Sequence, residues 1–459
     1  MYKVKLFLLV IIFLFVQNVF SQKSDFDFLV QKIKTVYAGY KDKVSESQFE
    51  KIVKNARYAN GVDTFIAMSN IVNYFQDQHL LLYQKDIKKF IDSNQAKKNF
   101  DYVTNYLQDN KRNKNAKEGY WLGQLNDYAL AIIKDSINPK ILNAYVIESR
   151  GRIVPGHLLM SMTDNHKKGF LTDYMDPSND FRIISSSFFN SDTVIFTKCY
   201  GYWNKINQYH PQILNEKIEF NYYASLKIID QNNVLLKMPD FSSANINIID
   251  SLVRKNSKVL ENTKNLILDI RENAGGTIRN YFPLIPYVYT NTIMSESGFT
   301  LCSEDLILDK KEILQRYLKK NDTNRVKNIE AQLENLIKHK GEFIFDKADT
   351  LAKDYVVKTN PKNIAILTNR NSLSAAELMV LHFNQSSKTK IFGEPTGGAI
   401  DYLNTLSIDL PSGKYFLTIA SVKRKGIKKY DLFGIPPDVI ISYNEKDWIG
   451  FVKKYYEKQ

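Results

Sequence analysis

With 459 residues, of which 44% are hydrophobic, 13% aromatic and 24% charged, the chain has ordinary globular composition and room for two or three domains, which excludes fibrous and disordered classes. Cys199 and Cys302 are its only cysteines, so it is not a small disulfide scaffold and depends on a hydrophobic core; one bridge and two buried thiols are both open readings. The net charge of +14 is carried by lysines scattered among Asp, Glu and Asn rather than gathered in a stripe, and there is no nucleic-acid motif, so it points to solubility and envelope-surface contact.

Residues 1–21 place Lys3 and Lys5 before an apolar run from Leu6 to Val16 and end at the small Ser21, the pattern of a secretory signal peptide. The run is too short for a membrane span, which needs about 20 residues. Export to the periplasm or the extracellular space is expected. Residues 22–139 read as a helical domain, with apolar side chains three and four apart in FDFLVQKIKTVYAGY, FEKIVKNA and MSNIVNYFQDQHLLLY. Within it Asp77-Gln78-His79 sits where a helix gives way to a short apolar run. A lone histidine is most often structural.

From about residue 140 the text changes to β-branched and aromatic runs broken by Gly, Pro and Asn, such as NAYVIE, FRIISSSFF and NVLLKM. A β-rich domain over 140–231 is expected, with a PDZ-like peptide-binding fold as one option. His157, His166 and His210 lie there without metal-ligand spacing, and no HExxH or CxxC pair occurs, so neither a metal nor a cofactor is expected.

The stretch 232–459 alternates strands and helices. LILDI is apolar almost throughout, as in a parallel strand covered on both faces. It runs into Gly275-Gly276, either an ordinary turn or an anion nest of N–H groups. Residues 304–340 are charged and helix-periodic and read as a two-helix insertion. Then IAILT, a polar turn and an apolar helix place Ser374 at a helix N-terminus. Ser374 with Glu377 three residues on is a capping-box pattern. The same position also puts the serine beside unpaired N–H groups and the positive end of the helix dipole, where an oxyanion would be stabilised. A hairpin follows around Pro411-Ser412-Gly413.

Taken in order, LILDIRENAGG, NRNSLSAAE, IFGEPTGG, LPSGKYFLT and FGIPPDVII resemble the tail-specific (C-terminal-processing) protease family. The resemblance implies an α/β (α+β) class, with a crotonase-like core of ββα units, and serine peptidase activity on a peptide or protein substrate. In the processing-peptidase branch a lysine acts as general base, and the matching position is Ala399. The resemblance therefore points to the tricorn-type branch, whose base is a histidine matched by His79 and whose acidic partner is matched by Asp431. Gln78 stands where that branch has serine. The implied site is Ser374 as nucleophile, His79 as base, Asp431 as acidic partner, and N–H groups of Gly275, Gly276 and Ala375 as oxyanion hole. The competing reading is a relative without catalysis that binds a peptide or hydrophobic ligand.

Overall fold

The structure, a computed structural model, describes residues 24–458 apart from 58–62, 88–92, 110–116, 124–127, 151–152, 165–168, 177–179, 190–192, 197–201, 207, 216–222, 427, 432, 443–444 and 446. The expected signal peptide, Cys199 and His166 lie outside the described residues. Cys302 is buried with a free thiol.

The chain opens with helices α1 (Asp25–Val36), α2 (Tyr40–Lys43), α3 (Glu46–Arg57) and α4 (Thr64–Tyr74). The side chain of Ser24 accepts the Asp27 N–H, and that of Asp63 accepts the Phe65 N–H, satisfying donors that a first helical turn leaves orphaned. In α1 the apolar spacing puts Phe26, Leu29, Ile33 and Val36 on one buried face. After α4 the chain passes through Asp77, Gln78 and His79 into β1 (Leu81–Lys85).

Helix α5 (Ser93–Asp109) precedes eight strands: β2 (Gly119–Gly123), β3 (Tyr128–Lys134), β4 (Ile141–Ser149), β5 (Leu158–Asp164), β6 (Phe170–Asp176), β7 (Phe181–Phe189), β8 (Thr193–Phe196) and β9 (Tyr202–Ile206). They pair antiparallel in the order β7-β6-β5-β4-β3-β2-β9-β8, and β8 pairs back onto β7, closing a ring. Closure removes exposed edges. This differs from the sequence reading in where strands start: strand structure begins at β1 and resumes at Gly119, inside the stretch read as helical. The misplaced boundary has a local cause. In β3 both faces are covered, with Leu130 and Ile132 in the cluster around Trp121 and Ala129, Ala131 and Ile133 packed with Val103 and Leu107 of α5. Such a strand loses the period-two alternation that marks a half-exposed one.

The second sheet is built from β10 (Ser225–Asp230), β11 (Asn233–Lys237), β12 (Asn265–Asp269), β17 (Asn363–Thr368), β18 (Thr389–Gly393) and β21 (Val439–Ile440), in that order and parallel from β11 onward. Between β11 and β12 run α6 (Ser243–Lys255) and α7 (Ser257–Asn262), and α8 (Ile285–Val288) lies after β12. The apolar run of β12 is explained by burial on both sides. Leu266 and Leu268 pack with Ile249, Met379 and Val380, while Ile267 packs with Ala365, Leu367 and Trp448. Each such side chain contributes about 1.5–3 kcal/mol on burial.

Four short strands, β13 (Ile293–Met294), β14 (Gly298–Leu301), β15 (Phe343–Asp346) and β16 (Thr350–Ala352), flank helices α9 (Glu304–Leu318) and α10 (Thr323–Lys338), with the pairings β13–β16 and β14–β15. After β17 comes α11 (Ala375–Phe383), and the chain closes with the hairpin of β19 (Tyr402–Asp409) and β20 (Tyr415–Arg424) and then α12 (Trp448–Glu457). The N-terminal helices are not a separate unit. Leu29, Ile33, Phe49 and Met68 share one buried cluster with Leu306, Leu336, Tyr402, Leu417 and Ile419. Strand β1 completes the junction, pairing with β20 through Leu81 opposite Thr418 and with β7 through Tyr83 opposite Ile183.

Candidate active site

Parallel strands β12 and β17 are neighbours, with Asp269 opposite Leu367, and their carboxyl ends open side by side. This is the edge of a parallel sheet where ligands bind. The two turns that follow are tied together. The Ser372 hydroxyl donates to the Ile270 carbonyl at 2.8 Å, and the Leu373 N–H donates to the Asn273 carbonyl at 2.9 Å.

Ser374 then enters α11 with φ 54° and ψ −116°. An L residue held there costs about 1–3 kcal/mol, a strain that clusters at functional sites. Glu377 helps to hold it. This fully buried carboxylate accepts the N–H groups of Ser374 (2.9 Å), Gly398 (2.9 Å) and Ala399 (2.7 Å) and the Thr396 hydroxyl (2.6 Å). Burial raises the Glu377 pKa, and the four hydrogen bonds oppose that shift. Ala399, where the lysine branch of the resembled family carries its base, is thus a buried residue whose main chain binds Glu377.

His79 approaches from the other side of the chain, just before β1. Its Nε2 lies 3.3 Å from Ser374 Oγ. The Asp77 carboxylate accepts the His79 main-chain N–H at 2.7 Å and the Tyr37 hydroxyl at 2.5 Å, which fixes the backbone that carries the imidazole. Burial holds the imidazole below its ordinary pKa, while Asp77 and the Tyr402 main chain act in the opposite direction. The neutral form is therefore favoured at neutral pH. Among the described residues Nδ1 is buried without a side-chain partner, and the Tyr402 main chain is the polar group that acts on the ring.

The remaining residues marked in the sequence fall as follows. Asp431 donates no support to the imidazole; its carboxylate accepts Lys43 Nζ at 2.7 Å, and its N–H donates to Asp401 at 3.0 Å. Burial and then the charge of Asp77 push the Asp431 carboxyl up to about 7, against the pull of Lys43. The N–H of Gly275 is taken by the Asn273 side chain at 2.9 Å, so it cannot serve an oxyanion. Gly275 instead provides clearance, since a Cβ there would come within 2.8 Å of both the Leu373 carbonyl oxygen and Ser374 Cβ. Exposed Gly276 and helix-opening Ala375 have N–H groups without a hydrogen-bond partner among the described residues. Sequence reasoning missed Asn273. It is buried, spans Met238 and Gly275 with its amide, and accepts from Leu373 through its main chain. The only available signal was its place one residue before Ala274-Gly275-Gly276.

A serine at a strained helix entrance, a histidine within reach of its hydroxyl and unpaired N–H groups nearby define a hydrolase of the serine peptidase class. Residues 233–441 match the model of peptidase family S41, and that part of the chain is similar to a serine peptidase of this family. No curated protein matches the chain. Among solved structures, a mutant of CPAF is similar over 95% of both chains at 11% identity, with a TM-score of 0.50. The photosystem II D1 C-terminal processing protease is similar over 91% of this chain and 92% of that one, at 12% identity and a TM-score of 0.41. A lipoprotein from Streptococcus agalactiae is 19% identical over 52% of this chain and 70% of its own, with a TM-score of 0.33. The family match begins at residue 233, so His79 lies outside it.

Proposed function

We propose that the chain is an exported serine peptidase of the lysine-free, tricorn-type kind, with Ser374 as nucleophile and His79 as general base. The observation that carries this is the 3.3 Å approach of His79 Nε2 to Ser374 Oγ. A serine hydroxyl is a weak nucleophile and needs such a base within hydrogen-bond reach. Neutral His79 takes the Oγ proton as Oγ attacks the scissile carbonyl. The N–H groups of Gly276 and Ala375 hold the oxyanion, each such donor being worth about 3 kcal/mol. The imidazolium then gives its proton to the leaving amine, and a water molecule activated by His79 hydrolyses the acyl-enzyme. Asp431 acts at a distance, holding Lys43, and is no member of the proton relay. The substrate is a peptide or protein met outside the cytoplasm, to which the leader sequence directs the chain.

The test is labelling with a serine-reactive phosphonate. The unmutated protein is expected to label, and Ser374→Ala and His79→Ala to lose labelling. Labelling that survives in Ser374→Ala refutes the assignment of the nucleophile.

A further inference from the structure

Gln78 is a departure from the resembled branch, and the structure gives it a specific task. Its side-chain amide is buried, and Nε2 donates to the Gly397 carbonyl at 2.7 Å and lies 3.5 Å from that of Gly398. The loop it grips is the loop held by Glu377, through the Thr396 hydroxyl and the N–H groups of Gly398 and Ala399. The same Glu377 accepts the N–H of Ser374. Gly397 is also bonded to the nucleophile turn, donating its N–H to the Ser372 carbonyl at 2.9 Å.

A continuous chain of hydrogen bonds therefore runs from the residue before His79, through residues 396–399, to the backbone of Ser374. The backbone of His79 is fixed by Asp77, which leads to Tyr37 in the N-terminal helices, and among the described residues its Nδ1 has no side-chain partner, the Tyr402 main chain being the group that acts on the ring. In a triad a third side chain on Nδ1 orients the imidazole. Here orientation comes from main chain, that of Tyr402 and that of the segment carrying the ring, so the placement of this segment against the 396–399 loop matters.

We infer that Gln78 is a positioning residue that sets the separation of His79 and Ser374 by clamping the 396–399 loop to the histidine segment. This rests on the proposed dyad. The chemistry requires a donor at this position. A carboxamide can donate to a carbonyl oxygen, whereas a carboxylate can only accept, and an aliphatic side chain does neither. Misplacement of a reacting group by about 1 Å is enough to lower a rate on the order of 100-fold.

The experiment compares the unmutated protein with Gln78→Leu, Gln78→Glu and Gln78→Asn, measuring the saturating rate of phosphonate labelling, the half-saturating phosphonate concentration and the thermal midpoint across pH. Gln78→Leu and Gln78→Glu are expected to lower the saturating rate at least tenfold with the half-saturating concentration within threefold. They are also expected to lose the inflection that reports the imidazole, leaving a rate that climbs with hydroxide. Gln78→Asn, which keeps a donor on a shorter arm, is expected to recover part of the rate. If either variant is too unstable to assay, the other carries the comparison, and Gln78→Asn provides a third reading. An unchanged saturating rate with the same inflection in a folded Gln78→Leu or Gln78→Glu protein overturns the positioning role while leaving the dyad intact. Ser374→Ala, run alongside, separates the two failures, because labelling that persists there removes the dyad itself.

Discussion

Replacing Gly275 by alanine tests whether the turn after β12 shapes the nucleophile. Two costs can be worked from the geometry. Gly275 has φ 97°, a conformation that L residues rarely adopt, so the methyl group brings backbone strain of about 1–3 kcal/mol. The new Cβ would also lie 2.8 Å from the Leu373 carbonyl oxygen, 2.8 Å from Ser374 Cβ and 3.0 Å from the Ala375 nitrogen. Two of these contacts are main-chain atoms, so relief requires the turn carrying Ser374 to move, at a further cost of about 1–3 kcal/mol for overpacking. The sum, about 2–6 kcal/mol, is a large fraction of the roughly 5–15 kcal/mol that holds a domain folded. Because the displaced atoms include the N–H of Ala375, the proposed oxyanion donor, labelling should fall by on the order of 100-fold even in molecules that stay folded. Gly413→Ala is the control. Its φ is 71°, but nothing lies within 4 Å of the added methyl, so it carries the strain without the collision. Urea unfolding and phosphonate labelling of the two variants measure the difference. If Gly275→Ala loses no more stability than Gly413→Ala and labels at the unmutated rate, the claim that Gly275 is needed for clearance at Ser374 is wrong.

Two further predictions concern the strain and the charge at the site. Ser374→Gly removes the positive-φ penalty along with the hydroxyl, and is expected to be more stable than the unmutated protein by about 1 kcal/mol while losing all labelling; urea midpoints check the first and phosphonate labelling the second. The pH profile of labelling follows from His79. Burial lowers its pKa, so the neutral base forms below 6.5 and the labelling rate should rise with pH to an inflection on the acid side of that value. The same shift means that the folded protein binds fewer protons than the unfolded chain just below pH 6.5, so the histidine's contribution to stability is lost as pH falls through its folded pKa. Asp431 has the opposite sign. Its raised pKa makes the folded protein hold a proton that the unfolded chain releases, so its contribution declines as pH rises from about 4 towards the folded value of about 7. Asp431→Asn should flatten that decline in urea midpoints and leave the labelling inflection where it was, since His79 is not among its partners. An inflection that moves with Asp431→Asn contradicts that separation.

Much of the α/β core is legible in local sequence because its signals are local. The apolar runs of β12 and β17 follow from burial on both faces, and the β19–β20 hairpin is marked by Pro411, Ser412 and Gly413. Ser374 stands out because a polar turn between an apolar strand and an apolar helix is a pattern a few residues long. What escaped depends on partners far along the chain. Nothing near Lys43 announces a salt bridge to Asp431, and nothing near Asn273 reveals that its amide takes the N–H of Gly275, which the sequence suggested for the oxyanion. The closed ring was missed for the same reason. Periodicity identifies a strand, but not that β8 returns to β7, and it fails even to identify β3, where α5 covers the second face. Gln78 looked like a defect in the motif because its partner, the Gly397 carbonyl, is distant in sequence and carries no side-chain signal.

The arrangement of β1 bears on when the protein becomes a peptidase. His79 is delivered by a segment that stays in place by pairing with β20, across more than 300 residues of chain. Contacts of such separation form late, because their loop-closure entropy has to be met before they stabilise anything. A nascent or partly folded chain can thus display Ser374 at its helix entrance without a base beside it. On the proposed dyad, chemical competence arrives together with the final closure of the fold, so a partly folded copy is not expected to cleave peptides.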